Sequence, residues 1–337
     1  MMNRLLLGLM LSMTLLSAGC HAEPAKQTQA ATTTDWKTEC VGRYQVAVPG
    51  NMEVALTIPE KLFKPNDVVN EYRFNDGGVA SFSGISTEYG GAFVTKPLNK
   101  EKYIDLKSEI SDQLKQRKEE LIQQGENKSA DSITVQSFNS RFSKNFSWIS
   151  KSGAMIFVQD NDGRIFEQFG IKENQTGEEI VRAFLTHFHP RALFEIPKQP
   201  GVCFPYGFIA DDGKAPRNVA VTMRLVDHPD VEVFFKDSSY PLTAVESQTP
   251  KQIIETFWEF GNRQVIKQAK MDWRGYRSIK IDNRDGTGLF VTLTRYDHST
   301  YHGDEAMAMG APADGSTDYG YVAVVKGDSK AQEAPPT

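Results

Sequence analysis

The chain has 337 residues, 39% of them hydrophobic, with 43 acidic against 38 basic side chains and a formal charge of −5. That length and apolar content support one or two ordinary buried cores. The acidic balance, without a Lys/Arg-rich stripe carrying interleaved aromatics, argues against a nucleic-acid partner.

At the amino terminus, Arg4 precedes the apolar run Leu5–Leu11, which is too short to span a bilayer, and Ser17-Ala18-Gly19 leads to Cys20. This pattern reads as a lipoprotein signal peptide over residues 1–19, cut before Cys20, whose thiol and new amino terminus are then acylated. His21 rather than Asp follows the cysteine, which favours the outer membrane. Loss of Arg4 with the signal brings the mature charge to −6. Several acyl chains at roughly 0.8 kcal/mol per buried CH₂ make a stable anchor. Residues 20–35 lack apolar periodicity and are expected to be a flexible tether, with a disordered tail over 328–337.

The folded remainder is expected to divide into an N-terminal domain, 36–197, and a C-terminal domain, 198–327, at the Pro/Gly-rich stretch Ile196–Gly201. Besides Cys20 the chain has only Cys40 and Cys203. The periplasm favours pairing them, which would close a loop worth up to about 5 kcal/mol in the chain-entropy model; the other reading is two buried thiols.

In the first half, strands are predicted over 43–48, 71–75, 79–86 and 92–95, bounded by turns such as Asn75-Asp76-Gly77-Gly78. A helix follows over 101–124, with Tyr103, Leu106, Ile110, Leu114 and Leu121 on one stripe and Gly125 as its stop. Strands resume over 132–138, 141–149, 154–159 and 164–171, the last two joined by the turn Asp160-Asn161-Asp162-Gly163. Thr176 and Glu179 form a capping box for a second helix that points Ile180, Val181, Phe184, Leu185 and Phe188 inward.

Beyond the boundary, strands over 218–226 and 231–235 turn at Asp227-His228-Pro229-Asp230. A third helix starts at Thr249-Pro250, and strands follow over 276–281, 288–296 and 319–325. Without a regular β-α-β rhythm, both halves read as α+β with mainly antiparallel sheets and a few packed helices.

Motifs of chemistry are scarce. The chain has no Gly-Xaa-Ser-Xaa-Gly elbow, Walker-type loop or zinc-binding His-Glu-Xaa-Xaa-His. Asp285-Gly286-Thr287-Gly288 lacks the third glycine of a dinucleotide fingerprint and reads as a hairpin turn. Asp160–Gly163 begins like a calcium loop, but Ile171 stands where the bidentate Glu belongs. His187 and His189 fall on different faces of a helix, while His298 and His302 fall in what reads as a long surface loop. No metal, cofactor or catalytic residue is expected.

The opening Cys40-Val41-Gly42-Arg43-Tyr44, followed by Val48-Pro49, resembles the N-terminal domain of the type VI lipase-immunity family. Its C-terminal domain is similar to Cys203-Phe204-Pro205-Tyr206-Gly207-Phe208-Ile209-Ala210-Asp211-Asp212-Gly213. Asp227–Val231, Asp285–Gly288 and Asp318-Tyr319-Gly320-Tyr321-Val322 follow in the same order. The resemblance implies a non-enzymatic immunity protein whose two domains close like a claw on a cognate secreted phospholipase effector. It would act in the periplasm while held at the membrane through its lipidated N-terminus. Candidate partner contacts are Asp211, Asp212, Asp227, Asp230, Asp282 and Asp285, with Tyr276 and Tyr296 beside them. Acidic loops would suit a basic partner, although aspartate before Gly or Pro also shapes turns. The alternative function is an outer-membrane lipoprotein with a scaffolding or envelope-assembly role and no toxin partner.

Overall fold

The computed structural model describes residues 35–58, 72–81, 83–141, 143–150, 153–170, 175–240, 252, 254, 265–281, 284–310 and 317–327. The expected signal segment with Cys20, the expected tether up to residue 34, residues 328–337, Ile171, Asp282 and most of the expected third helix lie outside the described residues. Of that helix, Gln252 and Ile254 are described as helical, and Ile254 is buried.

The chain opens with strands β1 (Trp36–Val41), β2 (Tyr44–Pro49), β3 (Met52–Val54), β4 (Leu56–Thr57), β5 (Tyr72–Arg73), β6 (Gly84–Thr87) and β7 (Gly90–Val94). Helix α1 (Lys100–Gln123) starts where the Asn99 side chain accepts the Lys102 N–H at 2.8 Å. It ends at Gly125, whose φ of 81° lets the Glu126 N–H return to the Leu121 carbonyl. Leu106 and Ile110 on its buried stripe pack on Phe146, Phe157 and Ile165. A short helix α2 (Asn127–Asp131) and strands β8 (Thr134–Gln136), β9 (Lys144–Ser150), β10 (Gly153–Gln159) and β11 (Ile165–Gly170) follow.

The expected capping box is present at α3 (Gly177–His187), Thr176 and Glu179 satisfying each other's backbone N–H groups. The helix places Ile180, Val181, Phe184 and Leu185 in the largest apolar cluster. It stops short of Pro190, which sits in a short strand β12 (Phe188–Pro190). Two further strands, β13 (Gly201–Phe204) and β14 (Gly207–Ala210), were not expected from the sequence. Long strands complete the fold: β15 (Arg217–Leu225), β16 (Val231–Tyr240), β17 (Ile266–Ile281), β18 (Arg284–Arg295), β19 (Thr300–Gly310) and β20 (Thr317–Gly327).

The main sheet has 13 strands, in the order β17-β18-β19-β20-β16-β15-β6-β7-β11-β10-β9-β8, with β3 also paired to β15. β15 thereby joins strands from both sides of residue 197 in one antiparallel array. The fold is α+β with mainly antiparallel sheets, as the alternation of elements implies.

Three sequence expectations need correction. Asp285-Gly286-Thr287-Gly288 is no hairpin turn; it lies inside β18. A Cβ on Gly286 would stand 2.2 Å from the Met307 carbonyl, and one on Gly288 2.9 Å from the Arg277 guanidinium, so these glycines permit close packing within the sheet. The supposed loop at His298–His302 ends at residue 300, where β19 begins and includes His302. β17 is far longer than the predicted 276–281; half of its first ten residues are polar, which left them without a strong apolar signal.

Candidate functional site

The hairpin of β1 and β2 turns at Gly42 and is stitched to β13. Gly42 and Cys203 exchange backbone hydrogen bonds of 2.8 Å in both directions. Beside them Cys40 and Cys203 form a disulfide between Cα atoms 5.6 Å apart, 163 positions distant in sequence. Gly42 adopts φ +60°, and a Cβ there would meet an Asp237 carboxylate oxygen at 2.1 Å. Only glycine fits this turn.

Buried ion pairs surround the junction. Arg191 and Glu39, with side chains 2% and 3% exposed, meet at 2.5 Å. The same guanidinium donates to the carbonyls of Cys40, Phe204 and Gly207, so its charge is fully hydrogen-bonded. Asp237 accepts from Arg217 Nε at 2.5 Å and from the Arg43 backbone N–H at 2.7 Å. Arg43 then holds Asp211 through two bonds of 2.8 and 2.6 Å. Charges this deep are tolerated because each finds a partner in good geometry.

Next to this junction is a groove of about 500 Å³ lined by Glu88, His187, Asp211, Asp212 and Lys214. The Tyr89 hydroxyl lies 2.8 Å from His187 Nδ1. Burial, then the negative charges of Glu88 and Asp211, push that hydroxyl above its ordinary value. At neutral pH it is therefore a hydrogen-bond partner and not a phenolate nucleophile. His189 is held below the usual imidazole value by burial, then by His187 and Arg141. Among the described residues, no group of three or more His, Cys, Asp or Glu could hold a metal ion. No described helix is long and apolar enough to cross a membrane.

Apart from Tyr276, the described residues expected to contact a partner divide between the two ends of the long strands. Strand register places Asp227 and Asp230, in the β15–β16 turn, at the same end as Tyr296 in the β18–β19 turn. Asp211 and Asp212, preceding β15, and Asp285 at the start of β18 share the opposite end. Tyr276 stands midway along β17 and is half exposed, as is Tyr296. Their surroundings differ as well. Asp211 is taken up by Arg43 with 4% of its side chain exposed. Asp227 accepts from Asn51 Nδ2 at 2.7 Å, whereas Asp285 pairs loosely with Lys280 at the surface.

The sequence reading passed over the first ten residues of β17, although a signal was there. Exposed Lys270, Arg274, Tyr276, Ser278 and Lys280 alternate with less exposed Ala269, Met271, Gly275, Ile279 and Ile281. Phe290 on β18 lies over Gly275, half exposed beside the Arg277 guanidinium.

Comparison with known proteins bears on these surfaces. No curated protein sequence matches the chain. Two solved structures share its fold, each at a TM-score of 0.50 over 91% of both chains. One is the immunity protein TplEi of the type VI secretion system of Pseudomonas aeruginosa in complex with a peptide, at 14% identity. The other belongs to the Tle4–Tli4 complex, at 13% identity. The profile of the Tle cognate immunity protein 4 C-terminal domain matches residues 195–336. Over those residues the chain is similar to the C-terminal domain of the Tle cognate immunity proteins.

Proposed function

We infer that this protein is an immunity protein that binds a cognate effector of the type VI secretion system. The observation that carries the reading is the immunity-domain match over 195–336, which contains the Cys203–Gly213 segment and the six long strands β15–β20. A scaffolding lipoprotein without a toxin partner is not favoured by that match. In finer detail, the effector is a periplasmic phospholipase, and the immunity protein blocks it by occupying surface without turning over any substrate. Acylation of Cys20 holds the protein at the outer membrane, where an anchored inhibitor is at high effective concentration. The Leu5–Leu11 run and the small residues before Cys20 support this anchor. Two domains meeting near residue 197 grip the effector, a division supported by the match beginning at 195. Asp211, Asp212, Asp227, Asp230, Asp282 and Asp285, with Tyr276 and Tyr296, supply contacts.

The test is inhibition of the cognate phospholipase, whose gene is expected to lie beside this one. Excess purified protein lacking residues 1–34 should abolish hydrolysis of phospholipid vesicles, and undiminished hydrolysis would overturn the reading. The anchor has its own test: Cys20→Ser should move the protein from the membrane to the soluble periplasmic fraction.

A further inference from the structure

We propose that the outer edge of β17 is a docking strand, to which an extended acidic segment of the partner adds by β-augmentation. The occupant's identity as part of the effector rests on the immunity reading above; the chemistry of the edge does not.

Strand β17 ends the 13-strand array, and among the described residues no strand pairs with its outer side. Such an edge presents a row of backbone donors and acceptors that another strand completes. Among its described side chains only Ile266 is buried.

Its charge runs against that of the whole chain. Lys267, Lys270, Arg274, Arg277 and Lys280 face a single acid, Asp272, within one strand of a protein whose formal charge is −5. Arg274 pairs with Asp272, Arg277 with Asp304 and Lys280 with Asp285. Lys267 and Lys270 are exposed and make no ion pair among the described residues. Arrayed cations on an edge repel a second copy of the same strand and attract an acidic one. Register with β18 is regular from Gln268 to Asp272, then breaks until Arg277. The stretch carrying Lys270 is therefore flat enough to pair, while the bulge beyond it twists the edge away. Tyr276 and Phe290, 50% and 53% exposed, add apolar surface beside the edge.

The probes are two synthetic ten-residue peptides, one alternating Glu and Val, the other Lys and Val. Binding is followed by fluorescence anisotropy and by amide hydrogen exchange of the folded chain. The Glu/Val peptide should bind, weaken as salt rises, and slow exchange at alternate amides between Ile266 and Asp272. The Lys/Val peptide should do neither. In the Lys267→Glu/Lys270→Glu variant the preference should reverse, with at least a tenfold loss for Glu/Val. Equal binding of both peptides, protection elsewhere in the chain, or a preference that ignores the double substitution would overturn the proposal. So would dimerisation of the chain through β17 in sedimentation, or tighter binding of the same lysines to phosphatidylglycerol vesicles than to the peptide. If the protein inhibits its effector while the peptide leaves β17 unprotected, this proposal alone fails. If the peptide docks and no effector is bound, the immunity reading alone fails.

Discussion

The junction around Cys40–Cys203 and the hairpin array β17–β20 are both antiparallel β-structure held together by opposite means. At the junction, contacts reach across the chain: Glu39 to Arg191, Arg43 to Asp211, and the Arg43 backbone to Asp237, 194 positions away. Its ion pairs are buried and its turn accepts no side chain at Gly42. In the array, strands pair with near neighbours in sequence, and the ion pairs Arg274–Asp272 and Lys280–Asp285 lie in solvent. The first region fixes the fold through particular residues. The second rests mainly on alternation, with Leu289, Val291 and Leu293 inward and Gly286 and Gly288 closely packed, and its other face is largely in solvent. A surface of the second kind can exchange its exposed side chains at little cost to the fold.

The largest way to break this contrast is to cut the staple. Replacing Cys40 and Cys203 with serine should cost up to about 5 kcal/mol by the chain-entropy model, read as a lowered midpoint in urea unfolding. A loss below about 1 kcal/mol would mean that the ion pairs hold the junction without it.

Next comes Glu39→Ala, which leaves the Arg191 guanidinium buried without its counter-charge. Removing one partner of a buried pair costs about 3–5 kcal/mol, so this single change should approach the disulfide in effect. Urea unfolding of the oxidised variant measures it, and a neutral result would show that the surrounding carbonyls suffice for Arg191.

The smallest effect belongs to the array. Phe290→Ser changes an exposed side chain and should shift stability by no more than about 0.5 kcal/mol in the same measurement. A larger loss would show that the outer face of β18 contributes to the fold, narrowing the contrast.

Local chemistry made much of the fold legible. The Thr176–Glu179 capping box, the Gly125 stop and the Asp160–Gly163 turn each act within a few residues, and all appear as read. Pairing of Cys40 with Cys203 was legible from compartment and cysteine count. Missed features depend on distant neighbours. Gly286 and Gly288 look like turn residues until Met307 and Arg277 are seen to occupy the space a Cβ would need. β17 hides because one face is solvated, so its alternation runs Lys, Arg and Lys against Ala, Met and Gly, without a strong apolar signal. Candidate contacts were chosen by residue type alone. Sequence could not reveal that the Asp211 carboxylate is already held by Arg43 while Asp285 remains at the surface.

The stretch Lys198-Gln199-Pro200 is exposed and carries no helix or strand, which makes it a natural target for a protease. A cut there would fall between Cys40 and Cys203, and β15 would still hydrogen-bond to β3 and β6 on the other fragment. The nicked product would be two polypeptides travelling as one, separable only after reduction and unfolding, so cleavage at this exposed point would not by itself take the fold apart.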